Sequence, residues 1–321
     1  MGTLYIDRKE LELKIDGRAI AFYAGKKREG VVPLAPLKRV IIVGNIKLEA
    51  SVLHKLAKSN ISVIFLSGKR LHFAGVLHGR IHRNGLLRLK QYAKTQTTFV
   101  IQISAEIIEK KLAKQAEFLR SLAEARKTIK HELLKSAQCI EEIINQVKAL
   151  PEIETLRGLE GSAANAYYKA FTLLFPPSLG FRGRVRRPPT DPVNSILSLT
   201  YTFVHFEMVR EIECIGLDPL IGFYHSFEYG RESLACDLVE SFRPDVDRFV
   251  YEIFKEEKLI ASDFIKEEPN QACYLKKNSR KNYFLLYEAW AQEQRSKWRE
   301  EVENLARRIS DGEDTLFDRD Q

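Results

Sequence analysis

Four residues of this 321-residue sequence have the type and setting that chemistry uses: Glu160, His225, Asp237 and Glu240. On a helical wheel Glu160 shares one stripe with Ala163, Ala164, Tyr167, Phe171 and Leu174, so the acid lies on an apolar face. The stretch RESLACDLVESFRP, from Arg231 to Pro244, repeats the arrangement. Asp237 and Glu240 are three apart, and Asp237 is in line with Leu234, Leu238 and Ser241. Ionised carboxylates are costly to bury without a partner. His225 lies twelve residues before Asp237, in the aromatic loop GFYHSFEYG. Three carboxylates and one imidazole form a set that a divalent metal neutralises. Mixed oxygen and nitrogen ligands suit Mg2+ or Mn2+, and zinc also accepts them. A metal held this way polarises a phosphoryl oxygen, activates a nucleophile and offsets leaving-group charge.

A plainer account stands beside this one. Glu160 is an acid favoured near a helix start by the macrodipole. Asp237 and Glu240 form salt bridges to Arg231 or Arg243, a task suited to arginine, and His225 is a hydrogen-bonded loop residue. Basic residues surround the same segments. RGRVRRPP supplies Arg182, Arg184, Arg186 and Arg187, while Arg231 and Arg243 flank the acidic helix. Such arginines can position a nucleic acid through its phosphates without reading its sequence, although a charge run is also simply a solvated surface. The formal charge of +8 favours a polyanionic partner, nucleic acid first and acidic membrane second.

The elements that position these residues follow from periodicity. TLYID, LELKI, AIAFYA, VVPLA, RVIIVG, ISVIFLS and LHFAGVL are short β-rich runs punctuated by Gly, Asp and Lys. One helix, EASVLHKLAKSN, interrupts them. From Leu86 the period becomes 3.6. AEIIEKKLAKQAEFLRSLAEARKTIKHELLKS predicts an extended helix, AQCIEEIINQVKAL a second stopped by Pro151, and roughly 159–175 a third. Asp191 can cap a helix that starts at Pro192, carries Asn194 one turn inside and runs to about Ile215. The Asp237 stretch is a short helix that Pro244 ends, residues 283–309 form a closing helix, and DGEDTLFDRDQ is a frayed acidic tail. The expected class is α+β and multidomain: a small β-rich N-terminal domain over 1–85, then a larger all-α C-terminal domain over 86–321.

Four scattered cysteines without a CxxC pair support neither a disulfide framework nor a zinc knuckle. The longest apolar runs, VIFL and FTLLF, are far too short to span a membrane, and MGTLYIDRKE lacks the regions of a secretory signal. A cytoplasmic protein with no membrane partner is expected.

RGLEGSAANAYY, RRPPTDPVNSILSLTYT and GLDPLIGFYHSFEYGRESLACDLVESFRP resemble the three signature blocks of the CRISPR-associated protein one family, the integrase and endonuclease of spacer acquisition. The opening LYID and the order of a β-rich domain before a helical one also match. The resemblance implies a metal held by Glu160, His225 and Glu240, the last often Asp in relatives, with Asp237 a second acid in a supporting role. Asn194 matches a DPVN-type block near the site. It further implies homodimers formed through the β-rich domain, and an assembly with a small companion subunit. That assembly captures a short duplex whose 3′-hydroxyls attack the CRISPR repeat, with metal-dependent nuclease activity on double-stranded and branched DNA. The rival expectation is a catalytically silent DNA-binding scaffold whose acids are structural salt bridges. An RNA-binding protein, the third possibility, lacks the aromatic RNP signature.

Overall fold

β-branched and aromatic residues alternate through the N-terminal runs, and each run is a strand: β1 Gly2–Ile6, β2 Leu11–Asp16, β3 Ala19–Ala24, β4 Lys27–Pro33 and β5 Leu37–Ile42. A two-residue β6, Lys47–Leu48, precedes helix α1, Ala50–Lys58, and then come β7 Ser62–Ser67 and β8 His72–Leu77. This computed structural model describes residues 2–67, 71–79, 82, 85–269 and 271–311. All of the acidic tail except Asp311 lies outside the described residues.

The strands form two sheets, ordered β1-β5-β7-β8 and β4-β3-β2-β6. β1, β5 and β7 run parallel and β8 closes the first sheet antiparallel, while β2, β3 and β4 form an antiparallel meander. One core joins both sheets and α1, with Ile6, Leu13, Ile20, Val40, Val52, Leu56 and Val63 buried together. The chain divides into two compact units, Met1–His82 with Lys281–Glu293, and Arg83–Arg280 with Gln294–Gln321. Within the first unit the Tyr5 ring stacks on Phe284, with centroids 4.6 Å apart.

The second unit is helical: α2 Gly85–Lys94, α3 Phe99–Ala123, α4 Lys130–Val147, α5 Ile153–Phe171, α6 Pro192–Ile215, α7 Ser233–Glu240 and α8 Arg243–Lys255. A small antiparallel hairpin follows, β9 Phe264–Glu267 and β10 Ala272–Leu275, and α9 spans Lys277–Ser310. The fold is thus a β-rich N-terminal region followed by a larger helical one. Several boundaries differ from the periodic reading. The long charged pattern breaks at residues 124–129, where Arg126 and Ile129 leave helical dihedrals, and AQCIEEIINQVKAL continues α4. No Gly or Pro marks that break, and what holds it is α3 packing against α4. Pro244 opens α8 instead of simply ending α7. The third helix starts at Ile153, so Glu160 is mid-helix and the macrodipole does not account for it.

Candidate functional site

Asp237 is completely buried on α7 and, among the described residues, pairs with no arginine. Its Oδ2 accepts from the backbone N–H groups of Phe223 (2.6 Å) and Tyr224 (3.0 Å). Its Oδ1 accepts from the His225 N–H at 2.9 Å and stands 2.7 Å from His225 Nδ1. A carboxylate accepts, so Nδ1 is the donor of this pair and Nε2, the other ring nitrogen, is left for another partner. The loop fits only because residue 222 is glycine. A Cβ there would come 2.6 Å from Asp237 Oδ2 and 2.7 Å from the Ser233 carbonyl carbon.

Glu240, one turn along α7, is also buried. Arg243 Nε donates to its Oε1 at 2.7 Å, and Lys111 Nζ of α3 donates to its Oε2 at 2.7 Å. Burial alone would raise the Glu240 carboxyl, but Arg243, Lys111 and the neighbouring His225 together hold it well below the usual carboxylate range. The same Lys111 ammonium also donates to Glu160 Oε1. Tyr224 lies close to both acids: burial pushes its phenol up, and the charges of Glu160 and Glu240 add to the rise.

Side-chain bonds close these elements into a ring. Arg157, three residues before Glu160 on α5, donates to the Tyr224 carbonyl at 3.0 Å and to Ser226 Oγ at 2.9 Å. The loop is fixed to α7 through Asp237. Lys111 fixes α7 to α3 through Glu240, and Lys114 fixes the end of α7 and the start of α8, donating to the Ser241 carbonyl (2.9 Å) and Asp245 (2.6 Å). Lys111 then returns to Glu160 on α5. Behind the loop, the buried Gln91 of α2 donates to the carbonyls of Asp218 (2.9 Å) and Ile221 (2.7 Å). Three separate segments therefore present Glu160, His225 and Glu240 to one another's surroundings. Among the described residues no three His, Cys, Asp or Glu side chains stand together as a ready metal cage. A cation, Lys111, links the two glutamates instead. Two carboxylates and an imidazole Nε2 are nonetheless the donors a hard divalent ion takes, and a third carboxylate, Asp237, behind the imidazole is the usual support of a ligating histidine.

The sequence singled out neither Lys111 nor Arg157. Lys111 follows Ile107 and Ile108 by four and three residues and precedes Gln115 and Phe118, all buried. That is the same apolar-stripe signal that marked Glu160. The basic residues divide in two. Arg186 and Arg187 are exposed, whereas Arg184 is turned inward to Asn194 Oδ1 (2.9 Å) and Ser198 Oγ (3.0 Å). Arg243 is engaged by Glu240, and Arg231 pairs with Glu228 at 2.9 Å, so neither arginine answers Asp237. Asn194 is buried, its backbone capped by Asp191 and its side chain bonded to Asp191, Gly183 and Val185. It fixes the arginine loop and presents no surface to DNA. A cavity of about 690 Å³ opens beside α5 one turn past Glu160, and Lys169, Arg182, Arg184 and Arg186 are among its lining.

The family model described as CRISPR associated protein Cas1 matches residues 4–289. A CRISPR-associated endonuclease Cas1 of Thermodesulfovibrio yellowstonii is 50% identical over 317 residues, covering 98% of this chain and 99% of the relative. Among solved structures, a Cas1 protein from Thermotoga maritima superposes with a TM-score of 0.83 at 20% identity, over 97% of this chain and 98% of that one. A casposase bound to integration product gives 0.78 at 20% identity, over 96% and 91%. The chain belongs to the Cas1 family of CRISPR-associated proteins. No helix among the described residues is long and apolar enough to cross a membrane.

Proposed function

We propose that this protein is a metal-dependent DNA endonuclease and integrase of CRISPR spacer acquisition, acting in the cytoplasm. Its reaction joins the 3′-hydroxyls of a captured duplex to phosphodiesters of the CRISPR repeat. The observation that carries this reading is the side-chain ring that brings Glu160 and Glu240 onto one ammonium with His225 beside them. Membership of the Cas1 family and the 50% identity to an endonuclease support it.

Glu160, Glu240 and His225 Nε2 are the groups that would hold Mg2+ or Mn2+. The ion would supply polarisation of the phosphoryl oxygen and a more acidic nucleophile. The residues of this chain do the rest. Asp237 keeps the proton on Nδ1 and the ring in orientation. Arg243 and Lys111 keep the Glu240 carboxyl ionised. Exposed Arg186 and Arg187 are free to meet phosphates of the bound DNA. Cleavage and strand transfer use one site and differ only in nucleophile, water or a DNA 3′-hydroxyl. The partners are double-stranded and branched DNA, a second copy joined through the β-rich unit, and a small companion subunit.

A second reading has its own support. Glu160 and Glu240 are both ion-paired, as the catalytically silent scaffold requires. Glu160→Ala and His225→Ala proteins, assayed on branched DNA with Mn2+, separate the two. Strand transfer is expected to disappear while DNA binding is largely retained, because phosphate contacts supply most of the affinity. Full activity in both variants would overturn this site as the catalytic centre, and a wild type that binds DNA without any strand transfer would favour the scaffold.

A further inference from the structure

Lys111 has a role that neither the salt-bridge account nor the ligand set describes. Its side chain reaches from α3 into the protein, is 6% exposed, and ends between two carboxylates that belong to different helices. An ammonium buried there cannot be replaced by a passing counter-ion, and removing it leaves two acids facing each other. Phosphoryl-transfer centres built on paired carboxylates commonly fill that position with a second divalent ion, about 3.5–4 Å from the first.

The formal charges favour the lysine. Glu160, Asp237 and Glu240 against Lys111 and Arg243 leave one net negative charge. One divalent ion turns this into one positive charge, the complement of a single phosphodiester. Two divalent ions in addition to Lys111 would overshoot that balance.

We propose that Lys111 is the resident second cation of this centre, so that the protein takes one divalent ion, and that Lys111 sets this stoichiometry. The inference rests on the metal reading above and deepens it. Lys111 acts by fixing Glu160 and Glu240 at a shared point and by denying a second ion access to them. It is therefore a specificity residue for the metal, distinct from the ligands.

Mn2+ titration of the full chain, followed by the electron paramagnetic resonance of free Mn2+ and by calorimetry, tests it. The wild type should bind one Mn2+ per chain, and Glu160→Gln should weaken that binding at least tenfold. Lys111→Met should bind a second Mn2+, and Lys111→Arg should stay at one. Two Mn2+ in the wild type, or a stoichiometry that stays at one in a folded Lys111→Met protein, overturns the proposal. Lys111→Gln and the wild-type stoichiometry serve the same purpose where Lys111→Met does not fold. Wild-type binding that is absent, or indifferent to Glu160→Gln, overturns the metal reading itself and this proposal with it.

Discussion

Asp237 accepts four hydrogen bonds from three consecutive loop residues, one of them from the His225 ring. This resolves how an acid can sit fully buried in an apolar helix without an arginine: backbone N–H groups and an imidazole satisfy both oxygens. An amide cannot do the same, because one of its two arms donates. Asp237→Asn is therefore expected to lose thermal stability and to bind Mn2+ about 10–100-fold more weakly, the usual cost of losing a ligand's support. Thermal unfolding and metal titration read the two effects. An unchanged Mn2+ affinity would place Asp237 outside the metal's influence. Glu240 differs from its neighbour in kind, since its partners are side-chain cations that a bound ion can share.

Among the helices, α6 and α8 meet at another buried acid. Asp247 of α8 is completely buried and takes a hydrogen bond from the Tyr201 hydroxyl of α6. The Arg184 and Arg243 guanidiniums face the Tyr201 ring, 5.4 and 4.7 Å from its centroid. Burial raises the Asp247 carboxyl to about 6, only partly opposed by Tyr201 and the two arginines. Below about pH 4 both folded and unfolded chains hold this proton. Between there and pH 6 the unfolded chain gives it up first, so stability falls as pH rises and stays lowered above 6. Asp247→Asn removes this component. Its melting temperature relative to wild type should rise between about pH 4 and pH 7, and a difference that does not change with pH would refute the assignment.

Across the protein as a unit, the excess of eight positive charges favours a polyanionic partner, and in the proposed function it is what draws DNA to the protein. Arg186 and Arg187 are exposed on the loop beside the α5 cavity, unlike the inward-turned Arg184. Replacing both by alanine should weaken duplex binding uniformly across sequences. The slope of log K against log salt should also fall by about two, at roughly 0.9 for each phosphate no longer neutralised. Fluorescence anisotropy over a salt series measures this directly. An unchanged slope would move the DNA path off this loop.

The periodicities alone set the order of a β-rich region before a helical one, because alternation and the 3.6-residue repeat are local properties of the chain. They also placed six of the seven longer N-terminal strands, α1, and the Asp191 cap with its helix to Ile215, while VVPLA met only the last three residues of β4. Glu160, Asp237 and Glu240 were legible for a related reason: an acid on an apolar stripe has to find a partner. The partner itself is not a local property. Lys111 carries the same stripe signal as Glu160, yet in a lysine-rich helix it reads as part of a solvated face. The turn at residues 124–129 is hidden in the same way, since it has no Gly or Pro and is held by helix packing. Which cation meets which acid is settled by packing in three dimensions. The meeting of residues 111, 160 and 240 depends on how three helices pack, and the sequence spacing within each helix leaves that open.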